Sequence, residues 1–238
     1  MPGGVTHGTP AAAVPWEALR AQVRLQAAGL TSPQPPGHGQ CATCRGPAGG
    51  GFARCFQCAL HAESAPGALA DVVVPIAFAA KGSPFAQALW QYKSDRAGEQ
   101  AVRAARQALR ALLLVFLHDH GRCVWRSAAM PVPTHVSVVP SSRGRPGAHP
   151  LRRLALPCLS RPEARLIAAG PEIPGCRDLD PGRFRSAGPL PGAAVLLLDD
   201  TWTSGASAQS AAAALRAAGA RHVAVVVLGR HLGTPAAG

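Results

Sequence analysis

Two adjacent carboxylates followed by a loop of hydroxyl side chains are the residues of this chain whose types and spacing most clearly suggest chemistry. Asp199 and Asp200 come directly after the apolar run 195–198. Because a buried carboxylate without a partner is costly, we expect both acids at the carboxyl end of a strand, where open α/β sheets bind ligands. The next segment combines hydroxyls with one glycine: Thr203, Ser204, Gly205, Ala206 and Ser207. With the positive N-terminal end of a helix behind it, this loop is suited to holding a phosphate.

Four cysteines suggest a second site, for a metal ion. Cys41 and Cys44 form one C-x2-C pair, and Cys55 and Cys58 form another after ten intervening residues. Four thiolates on two tight turns suit a tetrahedral Zn²⁺, and such a closed site is structural because it has no open coordination position. His61 is a weak substitute ligand, and its position is more typical of an exposed or helical residue. Four unrelated cysteines or a redox pair are the alternatives.

The acidic strand end and its loop resemble the phosphoribosyl pyrophosphate (PRPP) motif of type I phosphoribosyltransferases. In that motif an apolar strand, two acids and a loop of the Thr-Thr-Gly-Ala-Thr type follow one another. Here serine replaces two of the threonines, which keeps the hydroxyls, and Trp202 stands where an aliphatic residue is usual. An ordinary strand, turn and helix with a solvated acidic corner is the alternative interpretation.

Together with the cysteine pairs, this motif gives residues 41–230 a resemblance to the ComF family, phosphoribosyltransferase-like proteins of which some are linked to DNA uptake. Between the two ends the likeness is looser. The segment 78–93 resembles a short family segment that ends in a lysine, here Lys93. The segment 138–143 resembles a strand and loop that meet pyrophosphate, and Arg183-Phe184 resembles an aromatic position ahead of the last strand–helix–strand unit.

The resemblance implies a role for each of these segments. The loop Thr203–Ser207 would hold the 5′-phosphate of PRPP, and Asp199 and Asp200 would be the catalytic acids, accepting ribose hydroxyls or reaching Mg²⁺ through water. Carboxylates at this position would also stabilise the positive charge that develops on the sugar. The pyrophosphate loop would consist of Ser141, Ser142 and Arg143.

Two functions are compatible with these residues. One is a transferase that moves the phosphoribosyl group of PRPP to a nitrogenous acceptor and releases pyrophosphate; residues 160–190 carry no pattern that identifies the acceptor as a purine, a pyrimidine or ammonia. The other is a ComF-like accessory protein that binds single-stranded DNA and keeps PRPP binding without robust turnover. Phe52 and Phe56 are the best candidates for stacking on bases, although they could equally pack against the zinc knuckles.

The apolar patterns predict an α/β fold, a type I phosphoribosyltransferase-like parallel sheet flanked by helices with a small N-terminal zinc ribbon. The expected organisation is a disordered or helical extension at 1–40, the ribbon at 41–61, the main domain at 70–230 and a flexible tail at 231–238. Helices are predicted at 16–28, 84–93, 98–117, 149–159 and 207–218. Strands are predicted at 72–78, 134–139, 165–168, 194–198 and 222–228, the last two forming a βαβ unit with helix 207–218.

Composition limits the partners and the compartment. The formal net charge of +12 favours anionic partners, although a solvated arginine-rich surface would explain it equally well. The longest strongly apolar run, 111–117, is far shorter than the ~20 residues that cross a bilayer, and no secretory signal is visible, so we expect a cytoplasmic protein. Its seven cysteines should then be reduced or metal-bound, with Cys123, Cys158 and Cys176 as small buried side chains.

Overall fold

The structure, a computed structural model, describes residues 15–37, 39–141, 149–170 and 177–232. The helices are α1 (Trp16–Ala27), α2 (Phe56–Ser64), α3 (Pro84–Gln91), α4 (Glu99–Ser127), α5 (Pro150–Ala155) and α6 (Ala206–Ala217). The strands are β1 (Val72–Ala80), β2 (His135–Val138), β3 (Leu166–Ala168), β4 (Phe184–Ser186), β5 (Ala194–Trp202) and β6 (His222–Leu232). Every helix and strand predicted from the sequence is present, with changed boundaries.

Four of the strands form a parallel sheet in the order β1-β6-β5-β2. The predicted βαβ unit is confirmed, since β5 and β6 are adjacent and α6 connects them. Pro75, which has no N–H to donate, lies in β1, and β1 is an edge strand with only one neighbour. The short strands β3 and β4 form a separate antiparallel pair that contacts α6.

Apolar side chains alternate along the central strands and so build a core on each face of the sheet. On one face, Leu196 and Leu198 of β5 pack with residues of α3, α4 and α5. On the other, Val195 and Leu197 pack with α6 and with three of the four paired cysteines. Cys41, Cys44 and Cys58 therefore belong to the same apolar cluster as the sheet, not to a separate core.

Helix α6 lies close against the sheet because its buried side is made almost entirely of small residues. Nine of its residues are buried, and most of these are alanine. The only larger buried side chains on the helix are Gln209 and Leu215. Gln209 Oε1 accepts a hydrogen bond from the N–H of Ala70 at 3.0 Å, which satisfies this polar group inside the core.

Three elements run further than the patterns predict. Helix α4 continues from the expected end at Leu117 to Ser127, because Val124 and its neighbours still pack against the core. Strand β5 does not end before the acids but continues to Trp202, and β6 reaches Leu232. The predicted tail at 231–238 is therefore wrong for its first two residues, and residues 1–14 and 233–238 lie outside the described residues.

Predictions for three single residues need comment. Cys123 is exposed on α4 and Cys158 is half-buried, so the expectation that both are buried is wrong for Cys123; Cys176 lies outside the described residues. His61 is helical, as one alternative had it, but it is buried, and burial lowers the pKa of its imidazole.

None of the helices in the described ranges is both long and apolar enough to cross a membrane.

Candidate functional site

Asp199 and Asp200 lie near the end of β5 but still within the paired part of the strand, so their side chains point to opposite faces of the sheet. Asp199 pairs with Val227 of β6, and both lie at the carboxyl edge of the sheet. Successive strand residues point to opposite faces, which separates the surroundings of Asp199 from those of Asp200. The two acids therefore have different partners, although the sequence alone treats them alike.

Asp200 is buried and held by two residues that follow α3. Its Oδ2 accepts hydrogen bonds from the hydroxyl of Tyr92, a fully buried residue, and from Nζ of Lys93 at 2.7 Å. Burial acts to raise the pKa of Asp200, but the charge of Lys93 and the two hydrogen bonds outweigh it, and the pKa is lowered. Asp200 is therefore an ionised, paired carboxylate.

Asp199 is half-buried, and its environment favours the protonated form. Burial and the negative charge of Asp200 raise the pKa of Asp199 to about 7. Its Oδ1 accepts the backbone N–H of Asp200 at 2.8 Å, which fixes the side chain against the strand. A carboxylate that titrates near neutrality at a sheet edge is typical of a functional site.

The loop after β5 bends tightly over Trp202. Gly205, the residue before α6, has φ of 84°, a left-handed conformation that glycine adopts without strain. A Cβ at this position would lie 2.1 Å from Cζ2 of Trp202, whose side chain is fully buried. Trp202 belongs to the cluster on the α6 face, whereas Leu198 belongs to the opposite one, so the alternation of β5 breaks between them.

Polar contacts hold the rest of the loop at the start of α6. The N–H of Ala206 donates to Oγ of Ser204 at 3.3 Å. Nη1 of Arg183, next to β4, donates to Oγ of Ser207 at 3.2 Å, which brings a guanidinium to the first turn of the helix. The first N–H groups of an α-helix have no partner within it, so this corner combines unpaired donors, hydroxyls and a positive charge.

A second arginine supports the loop from the other side. Nη1 of Arg230, in β6, donates to the carbonyl oxygen of Trp202 at 3.2 Å and to that of Thr203 at 3.0 Å. The register of the sheet places Arg230 directly opposite Trp202. These bonds fix the two peptide groups at which the chain leaves the strand and enters the loop.

The four cysteines come together as the spacing predicts. The sulfurs of Cys41, Cys44, Cys55 and Cys58 all lie within 4.8 Å of one another. The Sγ atoms of Cys44 and Cys55 are 3.8 Å apart, which equals the sulfur–sulfur edge of about 3.8 Å in a tetrahedron with Zn–S bonds near 2.3 Å. The donor set and its size therefore fit a structural zinc ion.

The surroundings of the cysteines differ from a ribbon. The first pair is closed by a hydrogen bond from the N–H of Cys41 to the carbonyl of Gly46 at 2.8 Å. The second pair leads into α2, with Cys55 as the residue before the helix and Cys58 in its first turn. Residues 41–61 contain no β-strand, so the predicted ribbon is two cysteine turns followed by a helix.

The four cysteine thiols influence one another's pKa. Hydrogen bonding to Cys44 lowers the pKa of Cys41, whereas hydrogen bonding to Cys41 raises the pKa of Cys58. Such mutual shifts mean that the thiols titrate as a group. A divalent cation would bind the four sulfurs as thiolates, so its binding would release protons.

Only part of the predicted pyrophosphate loop can be located. Ser141 lies three residues after the end of β2, at the same carboxyl edge of the sheet as Asp199. Ser142 and Arg143 lie outside the described residues. His149, the residue before α5, is close enough for its charge to act on Asp200, so the chain returns to the same edge after this loop.

Three residues of the site were not assigned a role by the sequence patterns. Tyr92, Arg183 and Arg230 lie far from the acids along the chain and carry no spacing signal that links them to the loop. The resemblance did single out Lys93, and the antiparallel pair of β3 and β4 explains how Arg183 reaches α6. No protein-family model matches the chain, and no curated protein sequence matches it significantly.

Proposed function

We propose that this protein is a phosphoribosyltransferase of the type I class that binds PRPP with Mg²⁺ at the carboxyl edge of its parallel sheet. The observation that carries the proposal is the corner where β5 runs through Asp199 into the loop Thr203–Ser207 and the N-terminus of α6, beside the adjacent strand β6. This corner offers what a phosphorylated sugar needs, namely N–H donors, hydroxyls and a carboxylate.

The loop is suited to the 5′-phosphate of PRPP. The N–H groups of the first turn of α6 and the hydroxyls of the loop would donate to the phosphate oxygens, as helix N-termini do for many anions. Arg183, already bonded to Ser207, would add a positive charge at the same point. The left-handed Gly205 lets the chain turn over the buried ring of Trp202 into α6, which sets the course of the loop.

The two acids would have different roles in binding and transfer. Asp199 would accept the ribose hydroxyls in its ionised form and would stabilise the positive charge that develops at the anomeric carbon. Asp200 would hold Lys93 at the sheet edge, where an ammonium group can contact the pyrophosphate. Mg²⁺ would neutralise the pyrophosphate, with few protein ligands and several waters in its coordination shell.

Transfer would proceed by displacement at the anomeric carbon. The bond from that carbon to pyrophosphate breaks and its electron pair leaves with pyrophosphate, while a nitrogen of the acceptor forms the new bond and loses a proton to water. Ser141, with Ser142 and Arg143, would receive the leaving group. The acceptor is a nitrogenous compound whose class is a purine, a pyrimidine or ammonia.

Titration calorimetry tests the proposal with PRPP, ribose 5-phosphate and pyrophosphate, each with Mg²⁺. We expect PRPP to bind most tightly, since it alone fills both the phosphate loop and the pyrophosphate loop. Ser207→Ala should weaken PRPP and ribose 5-phosphate but not pyrophosphate, whereas Ser64→Ala on α2 should change none of them. Absence of PRPP binding by the wild-type protein would refute the proposal.

A second candidate, binding of single-stranded DNA, is favoured by one specific observation. Phe52 and Phe56 in the cysteine module are 73% and 81% exposed, so they do not pack against the knuckles and are available for stacking on bases. Arginines would have to contact the DNA phosphates, but one of them, Arg152 on α5, is engaged with Glu163, to which its Nε donates at 2.7 Å.

Fluorescence anisotropy with a labelled oligothymidine separates this candidate from the transferase. If the module binds DNA, replacing Phe52 and Phe56 with serine should weaken binding by at least about tenfold, because stacking contributes about 1–3 kcal/mol per base. Leu25→Ser is the matched control, because Leu25 on α1 is 86% exposed and apolar but distant in sequence from the module. Equal affinity of both variants and the wild type would exclude the aromatic pair as a DNA surface.

A further inference from the structure

We propose that Arg230 couples the four-cysteine centre to the conformation of the phosphate-binding loop, so that metal binding at the centre controls ligand affinity at the loop. The link to ligand affinity rests on the proposed function, whereas the link to loop conformation does not. Arg230 is the positioning residue in this scheme; it holds the loop and is not expected to contact the reacting atoms.

On the loop side, Arg230 holds the chain where β5 ends. Its Nη1 donates to the carbonyl oxygens of Trp202 and Thr203, at 3.2 and 3.0 Å. The next residues are Ser204 and Gly205, which turn the chain into α6. A shift of the guanidinium would break both hydrogen bonds. The loop could then leave the strand in a different direction.

On the metal side, the same guanidinium lies against Gly46, directly after the first cysteine turn. A Cβ at Gly46 would be 2.8 Å from Nη2 and 3.1 Å from Nε of Arg230. Gly46 has no left-handed backbone conformation, so the turn itself does not call for glycine, whereas a side chain here would meet the guanidinium of Arg230. The carbonyl of Gly46 accepts the N–H of Cys41 at 2.8 Å, which ties this contact to a metal ligand.

Packing and charge strengthen the connection. Cys41, Cys44 and Trp202 belong to one apolar cluster, so packed side chains connect the cysteine turn with the tryptophan beneath Gly205. Four thiolates around Zn²⁺ would carry a net negative charge, and the guanidinium of Arg230, which lies against Gly46 directly after the first cysteine pair, is placed to offset it. With the metal bound, the guanidinium is therefore held more firmly between turn and loop.

Coupling between two sites is reciprocal. If zinc favours the loop conformation that binds ligand, then PRPP bound at the loop must raise the affinity of the cysteine centre for zinc. Nothing in the chemistry of either site alone predicts this, because the cysteines and the phosphate-binding groups share no ligand atom. The reciprocal effect is therefore a direct signature of the coupling.

Gly46→Ala is the sharpest variant, because its methyl group would displace the flexible end of Arg230 and would leave every cysteine and every loop residue unchanged. Gly49→Ala is the matched control, since a Cβ there has no atom within 4 Å and the backbone is not left-handed. In the zinc-loaded protein without ligand, we expect amide hydrogen exchange of residues 199–207 to be about fivefold faster in Gly46→Ala than in Gly49→Ala. Equal exchange in the two variants would overturn the proposal.

Equilibrium competition for zinc with a chromogenic chelator supplies the second measurement. PRPP with Mg²⁺ should tighten zinc binding by the wild-type protein by about fivefold, and this protection should be lost in Arg230→Met and in Gly46→Ala. Arg230→Lys keeps the charge but cannot bond two carbonyls with a planar group, so we expect partial protection. Protection that is the same in all variants would overturn the proposal.

The two measurements also separate this inference from the proposed function. If wild-type protein does not bind PRPP, the proposed function fails, and the exchange comparison without ligand still decides whether Arg230 connects the centre to the loop. If PRPP binds but Gly46→Ala behaves as Gly49→Ala in exchange and in zinc affinity, the proposed function stands and the coupling is wrong.

Discussion

The cysteine centre and the acidic loop are built in different ways. All four cysteines lie within one short segment, Cys41 to Cys58, and two local pairs are enough to define the site. The acidic loop needs groups from distant segments, because Lys93 holds Asp200, Arg183 contacts Ser207 and Arg230 contacts Trp202. A metal centre can thus be encoded by spacing alone, whereas the loop depends on the whole sheet for its geometry.

The two regions nevertheless share one core. Three of the cysteines pack in the same apolar cluster as Leu197, Trp202 and α6, and Arg230 lies between the first cysteine turn and the loop. If the two regions were independent modules, a cysteine substitution would spare the loop. The shared cluster favours the opposite outcome, and the predictions below follow from it.

If the two regions depend on each other, Cys41→Ser should have the largest effect of these variants on stability and on PRPP binding. Cys41 is fully buried, and loss of one ligand removes a metal that supplies folding energy, so we expect a loss of about 4 kcal/mol in the free energy of unfolding. Elemental analysis should find one zinc per chain in the wild-type protein and little in the variant, and PRPP binding should fall with it.

The matched control is Cys123→Ser, which changes an exposed thiol on α4. The zinc content should stay the same, and the free energy of unfolding should change by no more than about 0.5 kcal/mol. If Cys41→Ser lost zinc but retained wild-type stability and PRPP affinity, the two regions would be independent.

Gly205→Ala should be the next most severe change. Its Cβ would overlap the buried ring of Trp202, and its backbone would have to keep φ of 84°, so we expect a loss of about 3 kcal/mol. Gly188→Ala, where a Cβ has no atom within 4 Å, should be nearly neutral in denaturant unfolding.

A double-mutant cycle sharpens this prediction. Trp202→Leu is destabilising by itself, but adding Gly205→Ala to it should cost much less than Gly205→Ala costs in the wild-type protein, because the overlap with the ring is gone. Additive losses would mean that backbone conformation, and not the contact with Trp202, dominates at Gly205.

The neighbouring acids should respond in opposite directions when each is changed to asparagine. Asp200→Asn removes a carboxylate that Lys93 and Tyr92 stabilise, so we expect a loss of about 2 kcal/mol at pH 8. Asp199→Asn removes a carboxyl group whose ionised form the fold disfavours, so the variant should be more stable than the wild type at pH 8 by about 1–2 kcal/mol.

The pH dependence of the Asp199 effect has a defined sign. The pKa of Asp199 rises from 3.8 to about 7 on folding, so the wild-type protein gains stability from holding this proton at low pH and loses that gain as the pH rises to about 7. The advantage of Asp199→Asn should therefore grow between pH 4 and pH 7 and stay constant above. Thermal unfolding across this range would contradict the account if the advantage did not change with pH.

The sequence predicts those features that depend on local patterns. Hydrophobic periodicity locates all the strands except β4 and all the α-helices except α2, and the spacing of Cys41, Cys44, Cys55 and Cys58 predicts the cysteine cluster. It does not predict that β5 continues to Trp202, because adjacent acids and hydroxyls are also typical of a strand that has ended. The different environments of Asp199 and Asp200 depend on Tyr92 and Lys93, which only the packing of α3 against the sheet brings to β5.

The central claim is that Asp199 is the ligand-facing acid of a PRPP site, and the pH dependence of affinity tests it most directly. Calorimetry should measure the dissociation constant of PRPP with Mg²⁺ for the wild type and for Asp199→Asn at pH 6 and pH 8, with Asp119→Asn on α4 as an equal change of charge elsewhere. Because the ligand's own phosphate titrates near pH ~6, the informative quantity is the ratio of wild-type to variant affinity. With a pKa of about 7, this ratio should rise about tenfold from pH 6 to pH 8 for Asp199→Asn and should stay constant for Asp119→Asn. A ratio for Asp199→Asn that does not change with pH would contradict the claim.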